Sequence, residues 1–159
     1  MNNKVSILMG SKSDLEIMNK AVEILKKFNI DYDINVLSAH RTPHETIKFV
    51  EESNSDVFIA GAGGAAHLPG IVAGISSKPV IGVPIKASIS IAGIDSLLSI
   101  VQMPPGVPVA TVGVDGAKNA GILAAQILGV GNENIKNQLI SFKKEQREMV
   151  LESNNALVR

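Results

Sequence analysis

An imidazole and a guanidinium stand side by side in the stretch Ser38-Ala39-His40-Arg41-Thr42-Pro43. Their types suggest a chemistry before any fold is known. Imidazole gives and takes protons near neutral pH. Guanidinium grips a phosphate or carboxylate through paired hydrogen bonds. The stretch follows a short apolar run and precedes a helical pattern, so it is a strand-to-helix turn. In an open parallel sheet, ligands bind at the carboxyl ends of strands. The plainer alternative is a solvated turn whose charges do nothing. Its place at a strand end favours the ligand role. His44 lies four residues after His40, a spacing that suggests a metal pair. Pro43 argues against it, because His40 then precedes the helix and the rings do not share a helical face. His44 reads as a surface residue.

Other stretches carry similar potential. Gly10-Ser11-Lys12-Ser13-Asp14 follows an apolar run and opens a helix. Backbone N–H groups and serine hydroxyls at such a point hold an anion. Asp14 alternatively takes the hydroxyls of a ribose, and an ordinary capped turn fits as well. It is not a Walker loop, because the Gly-Lys-Ser/Thr ending is missing. Gly61-Ala62-Gly63-Gly64-Ala65-Ala66-His67-Leu68-Pro69-Gly70 is dense in glycine, which lets backbone approach a ligand closely. Its Gly-x-Gly-x-x-Ala pattern is a weak dinucleotide fingerprint. That reading needs an acidic residue ending the next strand and a place after the first strand. Here Val83 and Pro84 stand there, and the stretch follows the third strand. His67 is either a helix-cap or packing histidine or a ligand group at the same edge. Lys86, Ser88 and Ser90 form a loop that either closes over a ligand or is simply polar.

Composition limits the partners. The chain has 159 residues, 15 basic and 15 acidic, with no net charge and no cysteine. Thiolate nucleophiles, disulfides and cysteine metal sites are excluded. No basic block interleaves with aromatics, so nucleic acid is not an expected partner. No apolar run is long enough to span a membrane, and no signal-peptide pattern opens the chain. A cytoplasmic location is expected. Hydrophobic residues reach 45% and mean hydropathy is +0.23. That fits a sheet buried on both faces, with further apolar surface buried between subunits.

These groups need a scaffold, and the pattern supplies one. Strands are predicted at Lys4–Met9, Tyr32–Leu37, Val57–Ala60, Val80–Val83 and Val109–Val112. Helices are predicted from near Asp14, from Pro43 to about residue 53, over about 66–75, over Ile94–Val101, over Ala117–Leu128, and from near Asn132. Ser13 with Glu16, and Thr42 with Glu45, have capping-box spacing. The alternation predicts one α/β domain over 1–159, a three-layer, doubly wound parallel sheet. Residues 132–159 form a C-terminal helical arm and tail, packed on their own domain or on a neighbour.

Taken together, the stretches at 10–14, 38–43 and 61–70, with Asp95-Ser96-Leu97-Leu98-Ser99-Ile100-Val101-Gln102-Met103-Pro104, resemble the class I N5-carboxyaminoimidazole ribonucleotide mutase family (the phosphoribosylaminoimidazole carboxylase catalytic subunit family) of purine synthesis. The resemblance covers nearly the whole chain and implies a flavodoxin-like fold. It implies an isomerase that moves a carboxylate from the exocyclic nitrogen to carbon 4 of an aminoimidazole ribonucleotide, through release and recapture of carbon dioxide. No metal, cofactor or ATP is implied. By the same resemblance His40 is the catalytic proton shuttle. Ser11 and Arg41 hold the phosphate, Asp14 holds the ribose, and Ser13, Ser38 and His67 are further substrate-pocket residues. Homo-octamers with sites at subunit junctions are implied, coupled in function to the ATP-dependent enzyme that makes the substrate. The chain departs from the family pattern at Ala92 and over Asp115–Lys118. The nearest alternative is the related carboxylase that uses free carbon dioxide. Members of that class tend to carry Lys after the histidine, whereas Arg41-Thr42-Pro43 stands here. A flavin- or nucleotide-binding module is the non-enzymatic alternative, and few aromatics are available to stack on a flavin.

Overall fold

β1 (Lys4–Met9) is buried along nearly its whole length and pairs in parallel on both sides. Its neighbours are β2 (Asp31–Val36) and β3 (Val57–Gly63). β4 (Val80–Ile85) joins β3, and β5 (Ala110–Thr111) joins β4. The five-stranded sheet has the order β2-β1-β3-β4-β5, all parallel. Helices α1 (Leu15–Lys27), α2 (Pro43–Glu52), α3 (Leu68–Ile75) and α4 (Ile94–Val101) make the four connections, and α5 (Ala117–Gly129) and α6 (Glu133–Leu157) follow β5. The computed structural model describes residues 2–157. Met1, and Val158 and Arg159 of the expected tail, lie outside the described residues.

Successive strand side chains face opposite sides. Val5, Ile7 and Met9 therefore enter one core with α1, α5 and the start of α6. Leu8 enters the other, with Val50 of α2, Phe58 and Ala60 of β3, Val72 of α3 and Ile100 of α4. Burying both faces consumes the unbroken apolar runs that mark these strands. Gly82 of β4 lets α4 pack directly on the backbone. A Cβ there would run into Ile100 and stand 2.9 Å from Val109 Cγ1.

The fold matches the predicted alternation, and the differences have local causes. β3 runs on to Gly63, so Gly61–Gly63 is strand and not turn. β4 passes through Pro84, which pairs with Ala62 on one side. On its other side β5 ends opposite Gly82, so the missing proline N–H costs no ladder bond there. β5 keeps two of the four predicted residues, bounded by Pro108, which has no donor, and by the turn at Gly113.

Neither predicted capping box forms. Ser11, not Ser13, caps the short 3-10 turn Lys12–Asp14, accepting the Ser13 N–H at 3.3 Å. Thr42 Oγ1 turns back to Ser38, accepting its N–H at 2.8 Å and donating to its carbonyl at 3.1 Å. In both places a nearer group inside the turn takes the hydroxyl, the Ser38 backbone for Thr42 and the side-chain oxygens of Ser11 and Asp14 for Ser13. Pro43 does begin α2.

α6 starts from an Asn132 cap, whose Oδ1 accepts the N–H groups of Asn134 and Ile135 at 3.0 and 3.2 Å. Its first turns pack on the chain's own core through Ile135, Leu139 and Phe142. The Phe142 ring meets Phe28 edge-on at 5.5 Å. From Lys143 to Leu157 every side chain is exposed.

Candidate active site

The strand order puts the turn after β1 between the turns after β2 and β3. The first turn is a knot of oxygen atoms. Ser13 Oγ lies 2.9 Å from Ser11 Oγ and donates to Asp14 Oδ1 at 3.1 Å. Asp14 is only 7% exposed. Burial pushes its carboxyl above the ordinary carboxylate value. The Ser13 hydroxyl, the Ser11 backbone and the Arg41 charge pull partly the other way.

The second turn is bound to the first. Arg41 Nη2 donates to the Gly10 carbonyl at 2.5 Å, and Nε to Ser38 Oγ at 3.3 Å. The guanidinium remains exposed. The third turn opens at Gly64, whose φ of +61° suits glycine, and ends at His67, the residue before α3. His67 makes no capping bond with its side chain. Its ring is spent elsewhere: Nδ1 lies 2.7 Å from His40 Nε2, with the rings nearly perpendicular at 78°. His40 therefore pairs with His67, while His44 stays exposed on α2.

A cavity of about 410 Å³ opens between the three turns. Ser11, Ser13, Asp14, Ser38, His40, Arg41 and His67 all line it, so the structure brings every candidate residue together. Ala39, Ala62, Ala65 and Leu68 add an apolar wall, and Ala87, Ser88 and Ile89 come from the loop after β4. Sequence reasoning missed the alanines and Ile89, because an apolar residue at a strand end looks like core. Of the three polar loop residues, Ser88 lines the cavity, and Lys86 and Ser90 do not. Ser90 Oγ instead donates to Asp95 Oδ1 at 2.6 Å, which holds the Asp95 carboxyl below its ordinary value. Ala92, one departure from the family pattern, sits at φ +54°. Asp115, in the other, accepts the Lys86 N–H at 2.9 Å.

The cavity offers an anion cradle and a shared imidazole pair within one small space. Arg41 and the serine hydroxyls suit a phosphate. Two imidazoles joined by a hydrogen bond can hold and pass a proton. This is a flavodoxin-like α/β protein with its polar chemistry gathered at the carboxyl edge of the sheet.

The family described as AIR carboxylase matches residues 4–149, and the chain belongs to that family. It is 57% identical over 152 residues to the N5-carboxyaminoimidazole ribonucleotide mutase of Thermotoga maritima, covering 94% of this chain and 88% of the relative. With the protein of the same name from Pyrococcus abyssi it shares 54% identity over 147 residues, covering 91% and 84%. The crystal structure of Treponema denticola PurE superimposes with a TM-score of 0.87 at 32% identity, covering 98% of this chain and 99% of that one.

Proposed function

We propose that this chain is an N5-carboxyaminoimidazole ribonucleotide mutase of purine biosynthesis, converting N5-carboxyaminoimidazole ribonucleotide to 4-carboxyaminoimidazole ribonucleotide. The observation that carries the reading is the His40–His67 pair facing the Ser11–Arg41 anion cradle across one cavity. The names of the relatives supply the substrate.

The roles follow from the groups available. Arg41 and Ser11 bind the phosphate, and Asp14 takes the ribose hydroxyls. Ser13 orients the Asp14 carboxylate through its hydrogen bond. Ser38 steadies the Arg41 guanidinium. In the reaction the carbamate C–N bond breaks, carbon dioxide leaves, and the nitrogen takes a proton from His40. Carbon 4 of the electron-rich imidazole then attacks the carbon dioxide, forming the new C–C bond. Its proton returns to His40 and the ring regains aromaticity. Protons balance, so His40 ends as it began. His67 holds the His40 ring and shares its proton. The apolar wall excludes water beside the carbon dioxide.

The reaction proceeds with no metal, cofactor or ATP, in one domain spanning the chain. The protein works in the cytoplasm as a homo-octamer, drawing its substrate from the ATP-dependent enzyme that carboxylates the aminoimidazole. Ile94, Leu98 and Val101 support the assembly. They recur along one side of α4 and are 51%, 52% and 49% exposed, an apolar stripe suited to burial between subunits.

A two-armed assay tests the function. The N-carboxylated ribonucleotide is supplied without ATP or metal, and the uncarboxylated one with bicarbonate. Preferential conversion of the first is expected. Conversion of the second alone would assign the carboxylase reaction instead.

A further inference from the structure

The loop between β4 and α4 is tied at both ends, and a turn closed by the Ser90 N–H on the Ala87 carbonyl at 2.9 Å carries Ser88 and Ile89 at its tip. At its start the Lys86 N–H donates to Asp115 Oδ1 at 2.9 Å. At its end Ser90 Oγ donates to Asp95 Oδ1 at 2.6 Å and accepts the Gly93 N–H at 2.7 Å. Between these ties Ala87, Ser88 and Ile89 line the cavity. Ile89 is a large apolar side chain on a polar site, and it is 82% exposed.

The last residue of β3 and the turn after it are shaped to receive this strap. A Cβ on Gly63 would stand 2.6 Å from Ala87 Cβ. A Cβ on Gly64 would stand 3.2 Å from Ile89 Cδ1. The space left by the missing side chains is the space the strap uses. Ile89 thus reaches from the β4 loop to the β3 turn that leads to His67. An isoleucine in water at that place gains free energy by covering something apolar. Carbon dioxide released in the cavity has no charge and no proton to donate, so apolar cover and excluded water are what hold it.

We propose that Ile89 closes the site over bound substrate and keeps the released carbon dioxide beside carbon 4. The inference rests on the mutase reading. Once the carbamate C–N bond breaks, carbon dioxide has two fates. Attack by carbon 4 gives the C-carboxylated product. Escape leaves the uncarboxylated aminoimidazole ribonucleotide, its nitrogen protonated, and free carbon dioxide.

The partition between these fates is the test. The full chain, Ile89→Ala and Ile89→Leu each receive the N-carboxylated ribonucleotide. C-carboxylated and uncarboxylated products are counted after subtracting the enzyme-free breakdown. Ile89→Ala should raise the uncarboxylated share roughly tenfold with little change in KM, and Ile89→Leu should restore the wild-type partition. An unchanged partition in Ile89→Ala overturns the proposal. So does a changed partition accompanied by a changed oligomer mass, which would assign Ile89 to a contact with a second copy. Failure of the wild-type chain to carboxylate carbon 4 overturns the mutase reading itself, and that result is separate from any effect of Ile89.

Discussion

His40 Nε2 and His67 Nδ1 stand 2.7 Å apart, so one ring nitrogen donates and the other accepts. The bond cannot survive if both nitrogens carry protons. The bridge between the two nitrogens therefore holds one proton, and His67 fixes the His40 ring at the cavity wall. A residue that positions its partner and one that moves the proton should respond differently to substitution.

For His40→Asn, turnover should fall by about 10²- to 10⁴-fold, the usual worth of a positioned acid–base group. Substrate binding should remain measurable by calorimetry. Near-normal turnover would remove His40 from the proton-transfer role. His67→Asn keeps a hydrogen-bonding atom near the Nδ1 position and should cost less turnover than His67→Leu.

Arg41→Ala removes a cation from the cradle together with its bonds to Gly10 and Ser38. Hydrogen bonds to charged groups contribute about 1.5–3 kcal/mol, which corresponds to roughly 10- to 100-fold weaker binding. Arg41→Lys should restore only part of that, because an ammonium lacks the planar fork. A loss of kcat at unchanged affinity would contradict the phosphate role.

Asp14 ties pH to stability, and the sign follows from its burial. Its carboxyl is held above the ordinary value of 3.8, mainly by desolvation. Between the ordinary and the raised value the folded chain binds more protons than the unfolded one, so stability falls as pH climbs through that window. At neutral pH the buried charge is a standing penalty. Asp14→Asn should therefore raise the Tm at neutral pH, with the gain shrinking as pH falls toward the ordinary carboxylate value. The same variant should bind substrate more weakly. Thermal melts across that range, paired with a binding titration, check both parts. A Tm gain that grows on acidification would reject the burial account.

Gly82→Ala probes the packing that fixes α4 on the sheet. The added methyl meets Ile100 and approaches Val109 within the core. Overpacking of this kind costs about 1–3 kcal/mol. A urea titration should show a lower midpoint at an unchanged slope. An unchanged midpoint would mean that α4 is free to move away.

The sequence by itself determined a good deal. Apolar runs alternating with amphipathic stretches defined a parallel sheet under two layers of helices. Polar turns at the strand ends marked the Ser11–Asp14 turn, His40, Arg41 and His67 as candidates, the family resemblance added Ser38, and Pro43 separated His40 from His44. These signals are local, and local chemistry expresses them. The capping boxes were local too, yet both hydroxyls found nearer partners once the turns closed. What only the tertiary structure decided was which distant residues meet. His40 and His67 are 27 positions apart and follow different strands. They meet because β2 and β3 flank β1. Neighbouring strands lie about 4.8 Å apart, so the tips of β2 and β3 are separated by roughly 10 Å, within reach of two side chains. The pairing of β3 with β4 likewise brings Ile89, in the loop after β4, to Gly64 just past the end of β3. An exposed isoleucine carries no such information in its neighbours along the chain. Strand order supplies it, because that order is fixed by burial of the whole sheet and not by any one motif.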